Sequence, residues 1–394
     1  MSNPNNQALH TYPELNWTEG EVACVARWRS ESGVLPPKKI MIADDTTTAD
    51  EAYRLACEGT AMLWRGDFQN ARQLLQAMAR RADRPSKKSS RAKKDKNPTI
   101  VEAFHLHRLA QSQRARTLGL LLIPVNADHT VSLRRAPDLQ QACLEAYGSA
   151  SEPYVTSLRE LLSLVSAHEW RKNGVEVAAL KGERIHPHYG VFAPTRNEYV
   201  GLVANTNLPA GLANHSLAFD IGTGTGVLAA VLARRGISRI IATDTDERAL
   251  SCARENLSRL RIGKQVELVQ ADLFPKGRAT LIVCNPPWVP ARPSSPLESA
   301  VYDPDSVMLK GFLSGLADHL TPDGEGWLIL SDLAEHLGLR TREELLGLIE
   351  TAGLKVVDRR DVRPTHPKVM DKSDALHNAR AAEVTSLWRL VRAK

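Results

Sequence analysis

Short apolar runs alternate with segments of helical periodicity through the second half of the chain. Buried strands are predicted at 217–221, 239–244, 266–270, 281–284, 326–331, 354–361 and 383–391. Helices are predicted between them at 227–235, 247–260, 307–320 and 342–352. Strands that alternate with helices form a mostly parallel sheet covered on both faces. The pattern therefore predicts an α/β domain built on seven strands.

The first half of the chain has a different pattern. After a flexible stretch to about residue 20, helices are predicted at 49–82, 99–119, 136–147 and 157–170. The runs 175–180 and 184–192 then predict a hairpin over 175–192 that leads into the α/β core at 216–394. A chain of 394 residues is too long for one such domain. We therefore predict a mainly helical N-terminal domain, 1–170, followed by a second domain, 171–394.

Charge is concentrated in one segment. Residues 80–96 carry nine basic and two acidic side chains, a net charge of +7, whereas the whole chain carries +6. The rest of the chain therefore sums to −1. A polybasic segment with so few apolar residues is predicted to be flexible. It either contacts nucleic-acid phosphates or is a solvated linker with no partner.

Other residue types narrow the class of protein. The five cysteines have neither paired nor metal-ligand spacing, which favours a reducing compartment, and Cys284 is predicted to serve packing. His186 and His188 lack a further ligand at metal-binding spacing, so no metal site is predicted. The apolar run 118–125 is far shorter than the ~20 residues that cross a membrane. These features predict a cytoplasmic protein without a membrane partner.

A glycine-rich turn follows the first strand of the α/β core. It reads Asp220-Ile221-Gly222-Thr223-Gly224-Thr225-Gly226 and precedes a predicted helix. Glycines let the backbone approach a ligand closely, and the helix behind them offers free N–H groups. The next strand ends at Asp244, 20 residues after Gly224, where an acid can bind ribose hydroxyls. These two features alone also fit a dinucleotide.

The strand at 281–284 ends in Asn285-Pro286-Pro287-Trp288. A planar amide or exocyclic amine attacks a methyl group only when acceptors hold its N–H hydrogens, because its lone pair is delocalised. The Asn285 side-chain oxygen and the Pro286 carbonyl can be these acceptors, and two prolines stiffen the turn. Trp288 can stack on a flat substrate. A dehydrogenase has no use for such a turn, which favours S-adenosylmethionine as the ligand. The alternative is a plain strand-ending turn.

From about residue 216 to 394 the chain resembles a class I S-adenosylmethionine-dependent methyltransferase, and within that class the HemK/PrmC-like group that methylates glutamine amides. The resemblance implies a Rossmann-like sheet whose last strand is antiparallel. It implies that the methionine end of the cofactor is lined by Asp220, Gly222, Gly224 and Gly226. It also implies that Asp244 binds the ribose and that Asp272 with Leu273 flanks the adenine. It further implies that Asn285 with Pro286 holds the target nitrogen, so the predicted catalytic residues are those of the Asn-Pro-Pro-aromatic turn, Asn285, Pro286, Pro287 and Trp288.

The predicted activity is therefore methyl transfer from S-adenosylmethionine to a planar nitrogen of a macromolecule. A protein glutamine amide is the leading acceptor because the resemblance covers the whole core. The group usually has tyrosine where this chain has Trp288, and similar turns occur in enzymes that methylate adenine N6 or guanine N2. A base of RNA or DNA is thus the alternative, with phosphate contacts from 80–96. A small-molecule acceptor and a non-catalytic cofactor-binding protein are the remaining hypotheses.

Overall fold

The structure is a computed structural model, and it describes residues 13–84, 98–293, 298, 300–364, 374 and 376–393. Contacts within the chain divide it into two compact units. The N-terminal unit contains the described residues of Met1–Lys96 and Leu109–His168. The C-terminal unit contains those of Asn97–Arg108 and Glu169–Lys394. A short segment from the first part of the chain, ending at Arg108, is therefore part of the C-terminal unit.

The N-terminal unit is built on a six-stranded mixed sheet with the strand order β1-β2-β6-β5-β4-β3. The strands are β1 (Glu14–Glu19), β2 (Val22–Trp28), β3 (Lys39–Ala43), β4 (Thr60–Trp64), β5 (Leu121–Val125) and β6 (Tyr154–Ser157). The helices are α1 (Ala49–Cys57), α2 (Phe68–Ala82), α3 (Ile100–Leu118), α4 (Gln140–Tyr147) and α5 (Leu158–Asn173). Residues 100–108 of α3 and 169–173 of α5 belong to the C-terminal unit. The prediction of a mainly helical domain at 1–170 is wrong.

The segment 49–82 explains much of this error. Its pattern predicts one helix, but α1 ends before Gly59, whose φ of +82° a helix does not allow. The following residues form β4, where Ala61, Met62, Leu63 and Trp64 are all buried. A strand buried on both faces lacks the alternation that distinguishes strands from helices in sequence. Likewise, β1 occupies the last six residues of the stretch to about residue 20 for which the sequence predicts flexibility, and residues 1–12 lie outside the described residues.

The basic segment 80–96 begins inside a helix. Arg80 and Arg81 form the last turn of α2, and Arg81 Nε lies 2.6 Å from Asp50 Oδ1. Asp83 pairs with Arg114 at 2.7 Å. The prediction of a flexible segment is therefore wrong for its first residues, and 85–96 lie outside the described residues. Phosphate contacts by this segment remain a prediction.

The C-terminal unit is built on a seven-stranded sheet with the order β11-β10-β9-β12-β13-β15-β14. Before the sheet, β7 (Val175–Glu176) and β8 (Arg184–Ile185) form a hairpin that is shorter than predicted. The strands of the sheet are β9 (Leu217–Ile221), β10 (Arg239–Asp244), β11 (Val266–Gln270), β12 (Ala279–Cys284), β13 (Leu320–Ser331), β14 (Leu354–Val362) and β15 (Thr385–Arg392). The ladders from β11 to β13 are parallel, and β15 is antiparallel to both of its neighbours. The seven strands and the antiparallel last strand agree with the prediction.

Helices cover both faces of this sheet. They are α6 (Glu198–Asn205), α7 (Val227–Arg234), α8 (Glu247–Arg259), α9 (Val307–His319), α10 (Leu333–His336), α11 (Arg342–Thr351) and α12 (His377–Ala382). Alternate strand residues face opposite sides, so Ala218 and Val283 pack against α7 whereas Phe219 and Cys284 pack against α9. In the described part of the chain, no helix combines the length and apolar character needed to cross a membrane.

Candidate functional site

The predicted site residues follow neighbouring parallel strands. The order β11-β10-β9-β12 brings the carboxyl ends of these four strands to one edge of the sheet. Gly222 follows β9, Asp244 ends β10, Asp272 follows β11 and Asn285 follows β12. Open α/β sheets bind ligands outside the carboxyl ends of their strands. Residues that are up to 65 positions apart in sequence, from Asp220 to Asn285, are thus gathered at one edge.

The three glycines of the glycine-rich turn differ in the space around them. Gly222, Gly224 and Gly226 all have positive φ, at +69°, +54° and +80°. A Cβ on Gly226 would lie 3.2 Å from Ala253 Cβ of α8, and one on Gly222 would lie 2.7 Å from Met308 Cε. A Cβ on Gly224 would meet nothing within 4 Å. Gly226 therefore allows close packing against α8, whereas Gly222 meets only the end of the flexible Met308 side chain. Gly224 borders open space where a ligand can approach the backbone.

Asp220 presents a buried carboxylate oxygen without a partner. Its Oδ2 accepts the Thr223 hydroxyl at 2.7 Å and the Ala229 N–H at 3.0 Å. Among the described residues, nothing hydrogen-bonds its Oδ1, which is also buried. Burial raises the pKa of Asp220 to about 6, against the lowering effect of the two hydrogen bonds. A buried carboxylate with one oxygen that lacks a hydrogen-bond partner suits a cationic donor, such as the ammonium group of an amino acid.

Asp244 is tied to the same turn. Its Oδ2 accepts the Gly224 N–H at 3.0 Å, and its Oδ1 accepts the Asp246 N–H at 3.1 Å. Burial raises its pKa, and these backbone hydrogen bonds oppose that rise. Each carboxylate oxygen has two lone pairs, so Asp244 can still accept bonds from a pair of ligand hydroxyls. The hydrogen bond with Gly224 fixes the carboxylate beside the open face of the turn.

The segment after β11 contains a strained residue. Leu273 has a φ of +66°, which a non-glycine residue rarely adopts. The Thr243 hydroxyl donates to the Leu273 carbonyl at 2.6 Å and so holds this conformation from the adjacent strand β10. Asp272 is exposed beside it. Strain of this kind is often found at ligand sites, and Leu273 lies where the resemblance places the adenine.

The turn after β12 is stabilised by its own tryptophan. Trp288 Nε1–H donates to Asn285 Oδ1 at 2.9 Å. The backbone N–H groups of Trp288 and Val289 both donate to the Val301 carbonyl, each at 3.1 Å. The indole bond leaves one lone pair of the Asn285 oxygen for a ligand. The motif predicts that Trp288 stacks on the substrate. The hydrogen bond from the Trp288 indole to Asn285 could not be predicted from the sequence.

A cavity of about 220 Å³ opens beside Asn285 and Trp288. Its walls are mainly apolar and aromatic, and include Phe104, Phe192 and Tyr302. Arg196 and Glu383 provide its polar side, where Arg196 Nη2 donates to Glu383 Oε1 at 3.0 Å and lies over Trp288, 5.7 Å from the ring centre. Ser331 Oγ–H donates to the same Glu383 oxygen at 2.7 Å. A larger cavity of about 520 Å³ lies between α6 and β14 and contains none of the predicted site residues.

The remaining candidates have structural partners. His188 Nε2 lies 2.7 Å from Glu255 Oε2, and His186 Nδ1 lies 2.6 Å from the Arg171 carbonyl. In the described residues, no three His, Cys, Asp or Glu side chains come together as metal ligands. Cys284 is fully buried in the core, and burial raises its pKa well above the usual thiol range. Cys284 therefore remains a neutral packing residue.

Comparison with known families agrees with this geometry. Residues 183–338 match the methyltransferase small domain. The match covers the glycine-rich turn, Asp244, Leu273 and the Asn285 turn, and it leaves the N-terminal unit unmatched. The segment of the C-terminal unit that contains these residues is therefore similar to the methyltransferase small domain.

Two relatives have the same level of identity and different named substrates. A tRNA1(Val) (adenine(37)-N6)-methyltransferase of Bacteroides thetaiotaomicron is 32% identical over 148 residues, which is 36% of this chain and 62% of that protein. A release factor glutamine methyltransferase of Cereibacter sphaeroides is 32% identical over 149 residues, which is 34% of this chain and 51% of that protein. The chain thus spans between half and two thirds of these relatives. A methyltransferase structure from Pyrococcus furiosus is 20% identical, with a TM-score of 0.39, and covers 59% of this chain and 98% of that one.

Proposed function

We propose that the chain is an S-adenosylmethionine-dependent N-methyltransferase that modifies a planar nitrogen of a macromolecule. The observation that carries the proposal is the position of the Asn285 turn. It lies at the same sheet edge as Asp220, whose buried Oδ1 has no partner among the described residues, the open space at Gly224, and Asp244. A methyl donor and a clamp for a flat nitrogen would therefore lie side by side.

The residues present fit this cofactor. Asp220 Oδ1, buried and without a partner among the described residues, would accept the ammonium group of the methionine part. Gly224 would allow close approach of the backbone, and Asp244 would accept the two ribose hydroxyls. The adenine would lie against Asp272 and Leu273. Bound S-adenosylmethionine would supply an electrophilic methyl group on a sulfonium.

The chain's own contribution to the reaction is orientation. Asn285 Oδ1 and the Pro286 carbonyl would accept the N–H hydrogens of the target nitrogen and direct its lone pair towards the methyl group. The indole of Trp288 would fix the Asn285 side chain, because it already donates to Oδ1. No strong general base is required, since the nitrogen releases a proton readily once it is alkylated. Cys284, neutral and buried, takes no part.

The acceptor has two candidates. The first candidate is a protein glutamine amide. It is supported by the resemblance to the HemK/PrmC-like group and by the similarity to a release factor glutamine methyltransferase. The alternative is an exocyclic amine of a nucleic-acid base, adenine N6 or guanine N2. It is supported by the similarity to a tRNA adenine-N6 methyltransferase and by the +7 charge of 80–96.

The experiment begins with calorimetry of purified protein with S-adenosylmethionine and, separately, with NAD. The protein is then incubated with radiolabelled S-adenosylmethionine and cell extract, and parallel samples are treated with nuclease or protease. We expect the protein to bind S-adenosylmethionine but not NAD. We also expect a labelled macromolecule from which either nuclease or protease, but not both, releases the label. Binding of NAD alone, or label that stays in the small-molecule fraction, would contradict the proposal.

A further inference from the structure

An ion pair borders the cavity beside the Asn285 turn. Arg196 Nη2 donates to Glu383 Oε1 at 3.0 Å, and both side chains line the cavity. Arg196 lies before the first strand of the seven-stranded sheet, and Glu383 lies just before the last strand, β15. Glu383 is also beyond residue 338, where the domain match ends. The pair therefore joins two segments that are 187 residues apart in sequence.

Glu383 is held from a third segment, the end of β13. Its side chain is 1% exposed, and the oxygen that pairs with Arg196 also accepts the Ser331 hydroxyl at 2.7 Å. Ser331 is the last residue of β13, and its hydroxyl oxygen accepts the Leu333 N–H at 3.0 Å. These bonds fix the Glu383 carboxylate relative to the sheet.

Arg196 connects Glu383 to the tryptophan of the turn. The guanidinium carbon of Arg196 lies over the Trp288 ring, 5.7 Å from its centre. This distance is within the range of about 6 Å for a cation–π contact. The Trp288 indole in turn donates to Asn285 Oδ1 at 2.9 Å. A continuous set of contacts therefore runs from the end of β13 to the Asn285 oxygen.

Fold stability alone does not account for Arg196 and Glu383. Removing two charges from water costs free energy that their attraction only partly returns, and apolar residues of similar size are often equally stabilising. The pair does supply orientation. A single hydrogen bond leaves the Trp288 ring free to tilt about the N–H···O axis, whereas a cation held over the ring face restricts that tilt. The indole N–H then stays directed at Asn285 Oδ1.

We propose that Arg196 and Glu383 are positioning residues of the reaction: they orient Trp288, and through the indole N–H they orient Asn285 towards the target nitrogen. This role rests on the proposed function, and it applies to either acceptor because it concerns the turn alone. Neither residue has to touch the substrate. Orientation acts in the transition state, so the pair should affect kcat more than KM.

The test is a double-mutant cycle on the full-length protein. Arg196→Gln removes the charge over the ring, Trp288→Phe removes the indole N–H and keeps a ring, and a third variant carries both substitutions. Arg342→Gln is the matched control. Arg342 pairs with Glu335 at 2.8 Å and lies 5.2 Å from the centre of the Trp388 ring, and it does not line the cavity.

kcat and KM are measured per folded molecule, by label transfer from S-adenosylmethionine to the pool that the wild type modifies. We expect Arg196→Gln to lower kcat about three- to fivefold, with KM and S-adenosylmethionine affinity within about twofold of the wild type. In the Trp288→Phe background the same substitution should lower kcat less than about 1.5-fold, because the bond on which it acts is already absent. Arg342→Gln should keep the wild-type kcat. An equal loss in both backgrounds, or the same loss in the control, would overturn the inference.

Glu383→Gln is the second variant, for the case that Arg196→Gln leaves a buried carboxylate unpaired and prevents folding. Glutamine keeps an acceptor for Ser331, and Arg196, whose side chain is 28% exposed, keeps contact with water. We expect kcat to fall about twofold, with no further loss in the Trp288→Phe background. A wild-type kcat would overturn the role of Glu383. A wild type that fails to bind S-adenosylmethionine, or labels no macromolecule, would instead contradict the proposed function.

Discussion

The indole N–H of Trp288 donates a hydrogen bond to the side-chain oxygen of Asn285, 2.9 Å away, so the last residue of the turn orients the first. An asparagine side chain that is already held in place loses little rotational freedom when it binds a substrate. Orientation before the reaction is what an enzyme of this kind supplies. The motif predicts an aromatic ring for stacking, and the structure adds a second role for that ring.

Trp288→Phe tests this second role, because phenylalanine keeps an aromatic face and loses the N–H. A single hydrogen bond contributes about 0.5–1.5 kcal/mol, so we expect turnover to fall about three- to tenfold at unchanged S-adenosylmethionine affinity. Trp327→Phe is the control, because its indole donates to Glu325, at 3.1 Å, rather than to Asn285. Equal turnover losses in both variants, per folded molecule, would show that the Asn285 bond has no special role.

The glycine-rich turn allows affinity to be separated from stability. Gly224→Ala and Gly226→Ala both place alanine at positive φ, which costs about 1–2 kcal/mol. At Gly226 the new Cβ would also meet Ala253 at 3.2 Å, whereas at Gly224 it enters open space. We expect Gly226→Ala to lower the melting temperature more, and Gly224→Ala to weaken S-adenosylmethionine binding more. Calorimetry and thermal unfolding of both variants measure the two effects, and the reverse ranking would contradict the assignment.

We expect Asp220 to lower the free energy of unfolding of the protein without cofactor. Its pKa is raised from 3.8 to about 6, so the folded state holds the proton more tightly than the unfolded state does. Its contribution to stability is therefore highest below pH 4 and falls as the pH rises to about 6, by an amount on the order of 3 kcal/mol. Asp220→Asn lacks this loss, so above pH 6 the variant should be more stable than the wild type, by about 1–3 kcal/mol.

Urea unfolding without cofactor, at pH 4.5 and pH 8, measures this difference. We expect the advantage of Asp220→Asn to be clear at pH 8 and small at pH 4.5, together with weaker S-adenosylmethionine binding at pH 8. Carboxylates that do not interact with Asp220 titrate equally in both proteins, so the difference between them reports Asp220 together with its electrostatic interaction with Asp244. If the stability difference between Asp220→Asn and the wild type did not depend on pH, the buried charge of Asp220 would not be its cause.

The basic segment provides a test of the acceptor class. Replacing Lys87, Lys88, Lys93 and Lys94 with Gln should weaken RNA binding and make its salt dependence shallower, by about one unit of slope for each phosphate that is no longer neutralised. S-adenosylmethionine affinity should not change. For a protein acceptor the same substitutions would change activity little at physiological salt, where exposed charges are screened beyond about 8 Å. Titrations at several salt concentrations distinguish the two.

The sequence predicts the C-terminal unit well because each of its signals is local. A strand and the functional residue at its end are adjacent in the sequence and can be recognised together. Asp244 is the last residue of β10, and Asn285 directly follows β12. Parallel strand order then brings those ends to one edge. The prediction for the N-terminal unit is wrong because the local pattern there is ambiguous. β4 is short and buried on both faces, so its sequence resembles part of a helix.

The walls of the cavity also could not be predicted. Phe104 lies in a helix whose apolar residues do not keep to one face, and Glu383 is a single acid before the last strand. Neither has a motif around it, and each becomes part of the site only through packing against Trp288, Tyr302 or Arg196. The predicted cofactor-binding residues carry local signals, whereas the walls of the cavity are brought together by tertiary structure.

The central claim is that Asn285 positions a nitrogen for methylation, and the most direct measurement is label transfer from radiolabelled S-adenosylmethionine by wild type and Asn285→Ala. The acceptor is the pool that the wild type modifies, and S-adenosylmethionine affinity is measured alongside. We expect turnover to fall on the order of a hundredfold or more in the variant, with cofactor affinity nearly unchanged, because the Asn285 hydrogen bond to the nitrogen acts in the transition state. Wild-type turnover in Asn285→Ala would contradict the account and leave the tetrapeptide as a structural turn.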